Sequence, residues 1–228
     1  MATVAITGAA RGIAFELVKQ HLAAGDRVYA LARNPDESGP LGALAASSGG
    51  KVTVHAMDVG SDASVAQGAA ATGSDPIDVL YNVAGVVGPM EGIAGLDGWG
   101  DFDAVVEINL KGPYRVLKAF LPRLKSGSKV INVSSQLAAS TWPYGGFYAY
   151  GATKAGMARM MRSVAADLKD QGIVIGIVHP GYVQTDMSGP EAEITPEASA
   201  AGIRKLAAEW TLEHSGDFYK WNGEPHAW

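Results

Sequence analysis

Tyr150 and Lys154 stand four residues apart in Tyr150-Gly151-Ala152-Thr153-Lys154. On a helix that spacing sets both on one face, about 6 Å apart at the backbone. A free phenol, with a pKa of about 10, is a poor acid or base near neutral pH. A fixed cation about 4 Å away, at an effective dielectric near 20, is worth about 4 kcal/mol and would bring the phenol toward neutrality. Such a phenol can pass a proton to or from a substrate oxygen. Tyr148 is a rival, but its partner four residues on is Ala152 rather than a lysine. Upstream, Ser134 and Ser135 end an apolar run, and a hydroxyl there can donate to an oxygen that gains charge. Taken alone, tyrosine and lysine at this spacing also describe an ordinary helix start, so the surrounding chain must decide.

A second group with chemical meaning is Thr7-Gly8-Ala9-Ala10-Arg11-Gly12-Ile13-Ala14. Glycines between a strand and a helix allow a tight turn and let backbone N–H groups approach a pyrophosphate. The spacing is Gly-x-x-x-Gly, with Ala14 where a third glycine often stands, and strand, turn and helix follow in the required order.

The elements that must position these groups alternate. Apolar runs at 3–6, 27–31, 51–55, 77–81, 129–133 and 173–178 read as strands, and 216–219 as a short seventh. Helical patterns cover about 12–24, 62–71, 102–124, 149–170 and 196–213. Gly112-Pro113 falls inside the third of these and should kink or split it. Strands alternating with helices predict an α/β fold, a doubly wound parallel sheet of seven strands covered on both faces, formed by residues 1–228 as one domain. Segments 86–100 and 182–195 follow strands at their carboxyl ends, where ligands of such sheets bind.

The net charge is −5, which argues against a nucleic-acid surface. No cysteine is present, so disulfides, thiolate catalysis and thiolate metal sites are excluded. The five histidines, His21, His55, His179, His214 and His226, have no metal-ligand spacing, and no metal is expected. No apolar run reaches membrane-spanning length and no charged leader precedes the first strand, so the expectation is a soluble, cytoplasmic protein.

Several motifs in one order resemble the short-chain dehydrogenase/reductase family over nearly the whole chain. Thr7, Gly8 and Gly12 match its Thr-Gly-x-x-x-Gly turn, with Ala10, Arg11 and Ile13 lying in that turn and helix start. Asp58 and Val59 match the segment after the third strand that meets the adenine. Asn82-Val83-Ala84-Gly85 matches its Asn-Asn-Ala-Gly, with Val83 replacing an asparagine that steadies the sheet centre. Asn109 matches an asparagine whose helical distortion holds a water near the lysine, and Ser135 the serine that binds the substrate carbonyl. Pro180, Gly181, Val183 and Thr185 match the segment that carries the nicotinamide. Within the family, Thr185-Asp186-Met187 and the ending after Gly216 look closest to sniffer-type carbonyl reductases and C-factor-like proteins.

The resemblance implies a Rossmann-type fold, a Ser135-Tyr150-Lys154 site with Asn109 in a proton relay, a small-molecule carbonyl or alcohol substrate, and a homodimer or homotetramer built on the helices at 102–124 and 149–170. The cofactor expected is NADP(H). Ala32 stands where NAD-specific sites place a carboxylate, and Arg33, Asn34 and Arg11 can meet a 2′-phosphate. Trp142, Tyr144, Phe147, Tyr182 and Met187 offer apolar or aromatic surface for a hydrophobic substrate, although the 142–147 run could equally cover the core. Met157, Met160 and Met161 read as core or pocket lining, and Glu191 and Glu193 as solvated loop charges. The other readings are a C-factor-like regulatory protein that binds a dinucleotide without needed turnover and a dehalogenase on the same fold. The intact Ser-Tyr-Lys set counts against the first. The preserved glycine turn and Lys154 count against the second.

Overall fold

A computed structural model describes residues 1–95 and 99–228. Runs rich in valine and isoleucine form strands β1 (Thr3–Thr7), β2 (Arg27–Ala32), β3 (Val52–Ala56), β4 (Ile77–Asn82), β5 (Leu124–Val133), β6 (Val174–His179) and β7 (Phe218–Lys220). They make one sheet in the order β3-β2-β1-β4-β5-β6-β7, each pair parallel. Between them run helices α1 (Gly12–Ala23), α2 (Pro40–Ser47), α3 (Asp62–Ala71), α4 (Gly100–Val105), α5 (Gly112–Phe120), α6 (Tyr148–Leu168) and α7 (Pro196–Glu209). This is the doubly wound Rossmann-type arrangement that the alternation predicts.

Both sheet faces are covered. Val4 and Ile6 of β1 join one core with Leu17 and Val18 of α1, Leu41 of α2 and Ile203 of α7. Ala5, between them, faces the other core with Val65 of α3, Phe120 of α5 and Met157 and Met161 of α6. Alternate residues of a strand point to opposite faces, so a run apolar at every position is what a two-sided sheet needs. The strand order reverses between β1 and β4, and the carboxyl ends there open a crevice.

Three elements depart from the sequence reading. α2 was not foreseen: it is short and mostly exposed, with Pro40 in its first turn and Leu41 as its one fully buried residue. β5 begins at Leu124, five residues earlier than expected, and its pairing with β4 shifts register between Ile77 and Val79. The long helix at 102–124 is interrupted, but not by a simple kink at Gly112-Pro113. Residues Val106–Lys111 wind as a π-helix, and α5 starts afresh with Pro113 in its first turn. A proline there has no N–H to donate, so the wider turn before it loses no bond. Gly112 lies against Val59, whose Cγ2 would be 3.0 Å from an added β-carbon. Of the two segments expected over the site, 86–100 includes residues 96–98, which lie outside the described residues.

Close packing makes one glycine of the sheet obligatory. A β-carbon on Gly176 in β6 would lie 2.5 Å from Cζ3 of Trp210, an indole only 4% exposed. Gly176→Ala should cost about 1–3 kcal/mol by overpacking. Trp210→Leu in the same chain should recover part of that loss, so the two changes should be non-additive in thermal melts.

Candidate active site

Thr7 closes the end of β1 onto the end of β4. Its hydroxyl donates to the Tyr81 carbonyl at 3.3 Å and accepts from the N–H groups of Val83 at 3.0 Å and Ala84 at 3.2 Å. The turn that follows is bare where a ligand would approach. Gly8 and Gly12 have φ of 72° and 56°, and a β-carbon on Gly8 would sit 3.0 Å from Ala84 Cα. Arg11, at the N-cap of α1, makes no side-chain capping bond, so the first N–H groups of the helix are left to an outside acceptor. Those donors and the helix dipole suit the pyrophosphate of a dinucleotide.

A cleft of about 1150 Å³ runs from this turn along the carboxyl edge. Its far wall at β2 holds Ala32, Arg33 and Asn34, followed by Asp58 and Val59 after β3 and Ala84 and Gly85 after β4. Asp58 Oδ1 also accepts from the Gly60 N–H at 2.9 Å. After β6 come Pro180, Gly181, Val183 and Thr185. His179 steadies that corner: its Nδ1 accepts the Gly181 N–H at 3.2 Å, and burial pushes its pKa down to about 3, so the ring stays neutral.

Ser135, Tyr150 and Lys154 line the inner end of the same cleft. The Ser135 hydroxyl caps the short turn at Gln136–Ala138 by accepting the Leu137 N–H at 3.2 Å. Ser134, the rival, is turned away: its hydroxyl donates to the Lys154 carbonyl at 3.1 Å. Tyr148 is not among the cleft residues.

The relation between Tyr150 and Lys154 differs from the one expected. The Lys154 Nζ sits 5.8 Å from the centre of the Tyr150 ring and donates to the Val133 carbonyl at 2.8 Å. Lys154 is only 4% exposed, and burial pushes its pKa down to about 8. Burial also raises the pKa of Tyr150, and the nearby Ser135 side chain opposes that rise. The four-residue spacing brings the two groups to one helix face as foreseen. The low-dielectric surroundings, which penalise both charged forms, were not visible in the spacing.

Two further residues take structural duties. Asn109 is fully buried in the π-helix and outside the cleft lining. Its amide accepts the Val86 N–H at 2.9 Å and donates to the Val86 carbonyl at 2.7 Å, pinning the segment after β4. Asn82 does not reach the cleft either. It donates to Asn132 Oδ1 at 2.9 Å, and Asn132 donates to the Gly176 carbonyl at 3.1 Å. This ladder of amides across β4, β5 and β6 steadies the sheet centre, which the replacement by Val83 had left in doubt.

Of the apolar candidates, Trp142, Phe147, Tyr182 and Met187 line the cleft. Tyr144 does not; it is 70% exposed and packs edge-on to Trp142 at 5.2 Å. The cleft also includes Met90, Leu137 and Asp186, which sequence reasoning missed. Asp186 pairs with Arg11 at 3.0 Å, joining the glycine turn to the loop after β6. No local pattern signals a pair so far apart in the chain.

With this geometry in view, the chain belongs to the short-chain dehydrogenase/reductase family: the model for short chain dehydrogenase matches residues 2–195. The family consists of oxidoreductases that bind a nicotinamide dinucleotide. The C-signal of Myxococcus xanthus is 39% identical over 158 residues, covering 67% of this chain and 93% of that protein. The NADPH-bound carbonyl reductase from chicken fatty liver superposes with a TM-score of 0.90 at 28% identity, over 100% of this chain and 99% of that one. The carbonyl reductase Sniffer of D. melanogaster superposes with a TM-score of 0.92 at 26% identity, over 100% of both chains. Among the described residues, no helix is long and apolar enough to cross a membrane.

The buried lysine gives a stability test with a definite sign. Its pKa falls from 10.5 in the unfolded chain to about 8 in the fold. Between those values the unfolded state binds the proton that the folded state has lost, so stability rises with pH across the window. Lys154→Met removes that rise. Urea unfolding at pH 7 to 10 should show the wild type gaining stability relative to the variant above pH about 8, the value set by its burial. A pH-independent difference would count against an uncompensated lysine.

Proposed function

We propose that the protein is an NADP(H)-dependent carbonyl reductase, which interconverts a hydrophobic ketone or aldehyde and its alcohol with Tyr150 as acid and base. The observation that carries this reading is the convergence of Ser135, Tyr150 and the buried Lys154 in the wall of one cleft. The glycine turn would hold the pyrophosphate of a dinucleotide and the segment from Pro180 to Thr185 its nicotinamide, a group that supplies hydride for a carbonyl carbon. Tyr150 would give its proton to the carbonyl oxygen as negative charge develops there. A phenol whose pKa is raised by burial keeps that proton until it is needed. Ser135 would donate a hydrogen bond to the same oxygen. The charge on Lys154, still held at neutral pH, favours the tyrosinate left behind, and Tyr150 would then recover a proton from solvent. A regulatory protein without turnover would have no use for a buried lysine under a tyrosine, since a buried cation costs stability.

The preference for NADP(H) rests on charge at the β2 end of the cleft. Ala32 offers no carboxylate to bond a ribose 2′-hydroxyl or repel a 2′-phosphate, and Arg33, Asn34 and Arg11 border the same space. Arg11 would have to exchange Asp186 for the phosphate. That exchange is inexpensive, because both side chains of the pair are about three-quarters exposed, at 77% and 74%. The NADPH-bound chicken carbonyl reductase supports the same reading. Self-association through the outer faces of α5 and α6 belongs to the proposal by family likeness, and sedimentation velocity tests it.

Tyr150→Phe should abolish reduction while NADPH still binds, as read by steady-state assay and fluorescence titration. Ser135→Ala should lower kcat by roughly 100-fold, the scale of one lost oxyanion donor. Ser134→Ala should do much less, and a reversed order would reassign the serine. Separately, wild-type kcat/KM should favour NADPH over NADH by roughly 100-fold, the scale of two charge-assisted contacts. Ala32→Asp combined with Arg33→Ala should move that preference toward NADH. Equal use of NADH by the wild type would overturn the cofactor assignment.

A further inference from the structure

Phe147 immediately precedes α6, and its backbone is left-handed, with φ 53° and ψ 33°. It is the only non-glycine with positive φ among the described residues. In that region a β-carbon crowds the following carbonyl. Asparagine or aspartate can offset the crowding with local hydrogen bonds, whereas phenylalanine cannot.

The helix start does not ask for this side chain. Phe147 contributes no side-chain cap, and its one service to α6 is a backbone carbonyl that accepts the Gly151 N–H at 2.8 Å. Glycine could do that without strain, as the preceding Gly146 does at φ 79°. The residue before it is hemmed in: a β-carbon on Gly146 would lie 2.9 Å from the Met90 carbonyl oxygen. On that side the turn leading into Phe147 has little room to move. What does use the ring is the cleft, where Phe147 stands three residues before Tyr150, with Trp142 and Leu137 in the same lining.

We propose that Phe147 is a specificity-determining residue, whose strained backbone fixes an aromatic ring in the wall of the cleft beside Tyr150 and selects flat aryl or conjugated carbonyl compounds over small aliphatic ones. The proposal rests on the carbonyl reductase reading and names the substrate class for that site. A ring on a backbone with little room to move loses little freedom when a substrate packs on it, and aromatic pairs prefer defined offset or edge-on geometry. Strain of this kind persists where surrounding structure over-determines it and where the site benefits.

The test compares Phe147→Ala, which removes the ring and keeps the strain, with Phe147→Gly, which removes both. Phe147→Gly should melt about 2–4 °C above Phe147→Ala. In both variants the ratio of kcat/KM for an aryl ketone to that for a small aliphatic ketone should fall roughly 10-fold, with the Kd for NADPH unchanged. Equal melting temperatures would remove the strain from the proposal. An unchanged ratio in an active enzyme would overturn the role of the ring while leaving the reductase reading intact. A wild-type protein that reduces no carbonyl compound with NADPH would overturn both.

Discussion

The ammonium of Lys154 donates to the Val133 carbonyl, and much of the molecule is arranged around that bond. The same turn of α6 is held a second time, because the Ser134 hydroxyl donates to the Lys154 carbonyl. Val133, the last residue of β5, and Ser134 after it thus grip α6 at one point, and Ser135, next in line, enters the same cleft wall as Tyr150, one helical turn from Lys154. A buried cation with no carboxylate beside it among the described residues tolerates little crowding. An added β-carbon on Gly85 would lie 3.3 Å from Nζ and 3.1 Å from Asn109 Oδ1. The glycine after β4, the π-helix that carries Asn109 and the position of α6 therefore depend on one another.

The other half of the cleft follows from sheet topology. Reversal of strand order between β1 and β4 leaves a gap at their carboxyl ends, which Thr7 spans with three hydrogen bonds. That leaves the glycine turn free to carry unpaired N–H groups into the cleft. The site is thus built from two kinds of electrostatics. At the glycine turn, backbone dipoles lie at a surface. Beneath Tyr150, a full charge lies in the interior, where each interaction is stronger and each unpaired group more costly.

The alternation of strands and helices, and the motifs at Gly8, Ser135, Tyr150 and Lys154, were legible because each is local or periodic. What was not legible came from partners far apart in the chain. Asn82 stands in a legible motif, but its partner across the sheet, Asn132, lies fifty residues on. Arg11 looked free until Asp186 closed on it. α2 escaped notice because it is short and buries little, so its composition resembles a loop. The shared helix face of Lys154 and Tyr150 followed from helix geometry, but the burial that shifts both depends on strands folded around them. Tyr144 shares its neighbours' aromatic character, yet it points to solvent, since a loop imposes no periodicity on which side chains turn inward.

The π-helix at Val106–Lys111 has a consequence for how α4 and α5 can be read together. A π turn holds one more residue than an α turn, and each α-helical residue advances about 100° around the axis. Residues before Val106 and after Lys111 are therefore out of phase by about one residue. Any single periodicity drawn across 100–120 smears the apolar stripe, although α5 is amphipathic in its own frame. Deleting one residue from this segment would restore uniform winding and rotate Asn109 off Val86, or Val116 and Phe120 out of their core, but could not keep both. The extra residue acts as a phase correction between α4 and α5, and it sets Asn109 against Val86 while Val116 and Phe120 stay in the core.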